Sequence, residues 1–168
     1  MTASTHLRRL TVALALATVL AILPARADES DGIAGVWWTP RHDGKIAISL
    51  DGTGVASGRL IAVSPDDADG TDDKNPDPSL RARPLLGLTV LQGFALDADG
   101  ILSGGTAYDP DSGRTYYATL SFDRAGHVVM RGSVLFNLFW RTEILERVAG
   151  PLPTTQQPGE PDLVYVNP

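Results

Sequence analysis

The chain reads as an all-β protein: an antiparallel up-and-down β-barrel of about eight strands, with one short helix in a long loop. Three observations lead there. Turn signals recur at Asp43-Gly44, Asp51-Gly52, Asp69-Gly70, Asp99-Gly100, Ser112-Gly113 and Ala125-Gly126, and such pairs supply the positive φ that tight hairpin turns need. Between the turns, apolar and polar residues alternate. Ile46, Ile48 and Leu50 interleave with Lys45, Ala47 and Ser49, while Tyr116, Ala118, Leu120 and Phe122 interleave with Thr115, Tyr117, Thr119 and Ser121. A two-residue period buries one face of a strand and wets the other. Finally, no sustained 3.6-residue pattern follows the first 27 residues.

Taken in order, the strand-like runs cover 35–40, 45–50, 54–63, 86–96, 101–108, 114–122, 127–136 and 138–148. The long connection between the third and fourth runs carries the helix signal. Asp77 is a good N-cap, Pro78 suits the first helical position and Pro84 turns Arg83 away from helix, so one or two turns are expected over Pro78 to Ala82. After Val148 the composition changes to GPLPTTQQPGEPD. A Pro-rich tail of this kind, 149–168, is expected to be extended or disordered, with Leu163 to Val166 docking on a sheet edge.

The first residues speak to compartment. His6, Arg8 and Arg9 form a basic start, Leu10 to Leu23 is an uncharged apolar run, and Ala25-Arg26-Ala27 offers an A-x-A cleavage pattern. Residues 1–27 therefore read as a signal peptide cleaved after Ala27, with a barrel domain at 28–148. The expected location is periplasmic or secreted. The apolar run is shorter than the roughly 20 residues that span a bilayer as a helix, so no integral membrane anchor is expected after cleavage. Cleavage removes Arg8, Arg9 and Arg26 but none of the 20 acids, deepening a formal charge of −6 by three. Such a balance without a basic cluster argues against nucleic acid as a partner. With no cysteine, disulfides and thiolate metal sites are excluded.

Several phrases are more particular than composition: GVWWTP at 35–40, SGRLIAV at 57–63, DKNPDPSLRARPLLGL at 73–88, GGTAYDPDSGRTYYATL at 104–120, and Arg131-Gly132. On these the chain resembles an exported bacterial family catalogued as domain of unknown function family 2147, over about residues 33–148. The resemblance implies a lipocalin-like β-barrel and no established activity. It marks Gly35, Trp37, Asn75, Pro76, Arg131 and Gly132 as structural signature residues. Leu135 and Trp140 stand where the family has small residues and Leu145 where it has an aromatic, which implies a smaller or displaced interior pocket. Separately, Gly35-x-Trp37 is similar to the lipocalin G-x-W signature: Gly allows close backbone approach, Trp plugs one barrel end, and Arg141 or Arg147 is placed to lie over the indole.

The stretch DDKNPDPSLRARPLLG, 72–87, admits two readings. In one it is an ordered connection in which Asp73 or Asn75 bonds backbone, Asp77 caps the helix and the arginines tie the loop to the barrel rim. In the other, Arg81 and Arg83 are anion hooks at the barrel mouth, with Tyr108 and Asp109 across from them. The structural reading is favoured. The acids Asp66, Asp67, Asp69, Asp72, Asp73 and Asp77 lack EF-hand spacing and read as a solvated loop balanced by Lys74, Arg81 and Arg83. Gly104-Gly105 suggests a bulge or barrel corner.

Catalytic constellations are poorly supplied. Only His42 and His127 follow the cleavage point, and no G-x-S-x-G elbow is present, so no catalytic residue, metal or cofactor is expected. The preferred function is a non-enzymatic exported barrel binding a small apolar or amphipathic ligand. Its walls would be Ile46, Ile48, Tyr116, Leu120 and Trp140, with Arg81, Arg83, Tyr108 and Asp109 at the rim. The alternatives are an envelope interaction module with a side-chain-filled barrel, whose protein partner the sequence does not define, and a hydrolase using carboxylates such as Asp109 with Glu143 or Glu146.

Overall fold

The computed structural model describes residues 32–134, 139–149 and 162–165; the expectations for the leader, for Leu135 and for most of the tail lie outside them. Eight strands follow one another in hydrogen-bonded order: β1 (Gly35–Trp38), β2 (Gly44–Leu50), β3 (Ala56–Val63), β4 (Thr89–Leu96), β5 (Leu102–Asp109), β6 (Arg114–Phe122), β7 (Val128–Val134) and β8 (Phe139–Leu145). Every neighbouring pair is antiparallel. The residues just after β8 return to β1: Trp38 N–H donates to the Glu146 carbonyl (2.8 Å) and Val148 N–H to the Val36 carbonyl (2.9 Å), with a bridge between Trp37 and Arg147. The sheet thereby closes on itself, which removes the exposed edges that invite aggregation.

Three hairpins are turned by the same five-residue device. Asp51, Asp97 and Asp123 each open a D-x-x-G-x turn, in which the carboxylate accepts the N–H groups two and four residues on: Thr53 and Val55, Asp99 and Ile101, Ala125 and His127. The glycine at the fourth place takes positive φ in each, Gly54 at 80°, Gly100 at 76° and Gly126 at 85°. The expected Asp51-Gly52 pair thus marks the right turn but the wrong glycine. Because the Asp51 side chain holds residues 51–55 as a turn, β3 starts at Ala56 instead of Gly54.

All three turns lie at one end of the barrel, and that end is filled. Trp37, Phe94, Leu120, Val128 and Leu145 are buried there with Ile48, Ala56 and Leu102, and each large side chain so buried contributes about 1.5–3 kcal/mol. Trp37 donates from Nε1 to the Ile33 carbonyl at 2.9 Å. Of the two arginines proposed for the indole, Arg147 takes the place: its guanidinium lies 4.1 Å from the ring centroid and donates to the carbonyls of Gly32 and Ala34. Gly35, at φ 144°, makes room for it, since a Cβ there would stand 2.5 Å from Arg147 Nη1.

The chain between β3 and β4 contains two 3₁₀ turns, Pro65–Asp67 and Pro78–Leu80. The second is the expected helix, capped as expected by Asp77, whose carboxylate accepts the Ser79 N–H at 2.9 Å. It is shorter than the sequence suggests. Beyond Arg59, β3 leaves its register with β4, and Ala62 and Val63 pair instead with β9 (Val164–Tyr165). The tail therefore docks on a sheet edge, with Leu163 buried beneath it. This strap covers Lys45, which is fully buried on the outer face; Nζ donates to the Tyr165 hydroxyl at 2.7 Å and sits 4.6 Å over the Trp38 ring. Pairing of this kind is what lets a lysine tolerate burial.

The Gly104-Gly105 step does interrupt the ladder, as the register shifts between Leu102 and Gly105. Gly105 itself is required by packing, because a Cβ would stand 2.5 Å from the buried Phe94 ring. Gly105→Ala is expected to lower unfolding free energy in urea by about 1–3 kcal/mol through overpacking. The double variant Phe94→Ala with Gly105→Ala is expected to cost less than the sum of the single changes, because the methyl then enters the space the ring vacates.

Candidate ligand site at the barrel mouth

At the other end the core stops short. A cavity of about 270 Å³ opens there, close to the roughly 300 Å³ at which small-molecule pockets begin. Its inner wall is apolar, made by Ile46, Leu60, Leu91, Ala107 and Met130, with Tyr116 beside them. The register explains this. Ala107 lies opposite both Leu91 and Tyr116, and Gly132 opposite both Ala118 and Arg141, so small residues on three adjoining strands face inward where large ones fill the far end.

The rim is charged. Arg41, from the β1–β2 turn, reaches across the opening and donates to Asp43 from Nε (2.7 Å) and to Asp111 of the β5–β6 turn from Nη2 (2.5 Å). These two hydrogen bonds hold its pKa above the ordinary guanidinium value. Burial on its own raises the Asp43 pKa, but bonds from Thr39 and Arg41 outweigh it and the net shift is downward. Arg141 donates from Nε to Glu143 on the inner face of β8. Asp109 accepts from the Asp111 N–H (3.1 Å) and the Ser112 hydroxyl (2.8 Å) of its own turn.

Beside the rim, the long connection is stitched shut at its base, where Leu85 N–H donates to the Gly70 carbonyl and Asp72 N–H to the Arg83 carbonyl (both 3.0 Å). Asp72 is its pivot. It is fully buried and accepts from the Tyr108 hydroxyl, Asn75 Nδ2 (2.7 Å), Arg83 Nε (2.8 Å) and Arg83 Nη2 (2.7 Å). Burial on its own raises the Asp72 pKa; the donors from Tyr108, Asn75 and Arg83 overcome it and hold the carboxyl below its usual range. Burial and the adjacent Asp72 carboxylate push the Tyr108 phenol up. Asn75 Oδ1 accepts the Asp77 N–H (2.9 Å), and the Asn75 carbonyl accepts Arg81 Nε (2.7 Å).

The structure brings Arg83 and Tyr108 together, with the guanidinium 5.6 Å from the ring centroid, and the group between them is Asp72. Arg81 and Arg83 are both engaged inside the loop and stand outside the cavity lining, whereas Tyr108, Asp109 and Tyr116 are part of it. The side chain of Trp140 lies outside the described residues. Ile46 lines the cavity; Ile48 and Leu120 belong to the filled end. Pro76 is exposed, and Arg131 is exposed opposite Thr119 and Thr142. Asp72 is the residue the sequence reading missed. It stood within an acid run read as solvated, and only its spacing from Asn75, which suits a side-chain bond across a turn, set it apart. Among the described residues, no three His, Asp or Glu side chains converge as metal ligands do.

A closed eight-strand meander, plugged at one end by a G-x-W tryptophan under an arginine and open at the other, is a lipocalin-like barrel. Among solved structures the chain is similar to protein HP1028 from Helicobacter pylori, described as belonging to the lipocalin family, with a TM-score of 0.59, 20% identity, and coverage of 69% of this chain and 82% of that one. Comparison with curated proteins gave no match. The model of the family described as "Uncharacterized protein conserved in bacteria (DUF2147)" matches residues 35–147, and the chain belongs to that family.

Two substitutions test how the long connection is held. Gly113, at φ 68°, lies so close to the loop that a Cβ would fall 1.9 Å from the Lys74 carbonyl oxygen; Gly113→Ala is expected to cost about 1–3 kcal/mol and to speed amide exchange across 70–85. Asp72→Asn is expected to cost about 1.5–3 kcal/mol at neutral pH, the worth of a charged hydrogen bond. Since the folded Asp72 pKa is depressed, its contribution is present above the unfolded carboxyl value of about 3.9 and fades as pH falls through the folded one. Urea titrations should therefore show the gap between wild type and variant closing between about pH 5 and pH 2.

Proposed function

We propose that this protein is an exported binding protein, not an enzyme, that holds a small apolar or amphipathic molecule in the mouth of its barrel. The observation that carries this reading is the cavity: apolar within, charged at its rim, and left open by small residues on β5 and β7 while the opposite end is packed. Apolar enclosure with a few polar groups at one side is the usual design of a small-molecule site. The fold shared with a described lipocalin supports the reading. The rim carboxylates considered for hydrolysis are engaged, Glu143 by Arg141 and Asp109 by its own turn, which favours binding over acid–base chemistry. Export rests on the basic start, apolar run and A-x-A pattern of residues 1–27.

Native mass spectrometry of protein purified from its own cell envelope is expected to show a co-purifying apolar molecule, and an intact polypeptide mass beginning at Asp28. A chain retaining residues 1–27 would contradict export. Gly132→Leu supplies the binding test: a Cβ at Gly132 meets nothing closer than 3.5 Å, so the variant should fold, while its side chain enters the cavity and lowers ligand occupancy about tenfold or more. Unchanged occupancy in a folded variant would contradict the mouth as the site.

A further inference from the structure

The charge at the mouth specifies more than an apolar guest. Five carboxylates line the cavity, Asp43, Asp67, Asp109, Asp111 and Glu143, against two guanidiniums, Arg41 and Arg141. Both guanidiniums already have carboxylate partners: Arg41 holds Asp43 and Asp111, and Arg141 holds Glu143. Among the described residues, Asp67 and Asp109 are held only by neutral donors, Asp67 by the Ser64 hydroxyl (2.7 Å) and Asp109 by its own turn. The adjoining hollow shares Asp67, Leu85, Pro110 and Asp111 with the cavity and adds Asp69 and Asp73 against Lys74, so the field at the opening stays negative. An anionic head would meet a net repulsive rim with its cations already neutralised. A cationic head would meet two carboxylates that form no ion pair among the described residues, beside the Tyr116 ring, which offers a π face to an ammonium.

Resting on the cavity reading above, we infer that the mouth selects amphipathic molecules whose head carries a positive charge, an amine or quaternary ammonium on a short apolar tail, over those with neutral or anionic heads. The apolar wall supplies affinity for the tail, and the rim supplies discrimination between heads, which is the usual division between burial and electrostatic complementarity.

Calorimetric titration of the full-length mature protein with decyltrimethylammonium, decyl glucoside and decyl sulfate, each below its micelle concentration, separates tail from head. At an ionic strength of about 10 mM, where the Debye length is about 30 Å, the ammonium compound is expected to bind about tenfold tighter than the glucoside, and the sulfate more weakly than either. The gap should narrow at about 0.15 M salt, where screening sets in within about 8 Å. The double variant Asp67→Asn with Asp109→Asn, its fold checked by thermal melting, is expected to reduce the ammonium-to-glucoside ratio about threefold or more, whereas Asp99→Asn at the opposite end of the barrel leaves that ratio at its wild-type value. Binding of the glucoside with equal or tighter binding of the sulfate overturns the head-group inference and leaves the cavity reading standing. Binding of none of the three overturns both.

Discussion

The molecule depends on how its first strand meets the end of its last. Two backbone hydrogen bonds between 36–38 and 146–148 complete the cylinder, and Arg147 secures them. The backbone of Arg147 bridges to Trp37 of β1, while its guanidinium donates to the carbonyls of Gly32 and Ala34 and covers the Trp37 indole. The neighbouring carbonyl, Ile33, is taken by the indole N–H itself. Buried backbone acceptors need partners, and here a short segment before the first strand finds them all on two side chains. Gly35 is the concession that makes this possible, since any side chain at its position would meet the guanidinium.

Closure at that end sets the character of the other. The plugged end is regular: three D-x-x-G-x turns of one design, above a core of large side chains whose alternation matches the strand period. The mouth is built of unlike pieces, namely a tight turn around Arg41 and Asp43, the long connection pinned on Asp72, and the 110–113 turn pressed against Lys74. Irregular, polar connections on a rigid scaffold are where proteins place recognition. The cavity lies at this end because Ala107 and Gly132 line it with little or no side chain, whereas Phe94, Leu120 and Leu145 fill the opposite end.

Much of this was legible in the residues. Period-two alternation gave the strand count and the inward faces of β2 and β6, and the Asp77-Pro78 pair announced its 3₁₀ turn. Gly35-x-Trp37 pointed to the plug, although only the register could choose Arg147 over Arg141. What escaped was whatever depends on long-range pairing. Lys45 alternates as a solvent-facing residue should, yet a strap 120 positions away covers it. Asp72 sits among five other acids, and its burial follows from Tyr108 and Arg83 arriving from different elements. The threefold D-x-x-G-x pattern was visible but was read as the adjacent pairs Asp51-Gly52, Asp99-Gly100 and Ala125-Gly126, because local propensity weighs adjacent residues more readily than a carboxylate reaching four positions on. For the site, alternation marked Tyr116 as an inward wall, and Tyr108 and Asp109 were set at the mouth only as the groups facing Arg81 and Arg83. All three line the cavity, whereas the occupation of Arg81 and Arg83 by the loop itself was beyond what spacing reveals.

The tail adds a second closure. Where β3 parts from β4, its edge would stand open, and β9 fills it while burying Leu163 and roofing Lys45. The barrel is thus sealed along both seams by segments that follow β8, 146–148 on β1 and β9 on β3. Native-state hydrogen exchange on the amides of Trp38 and Val148 tests closure most directly. If the sheet is a closed cylinder, these two amides exchange as slowly as those in the centre of β6; exchange at the rate of a fraying edge, with β6 still protected, would show an open sheet and contradict the account.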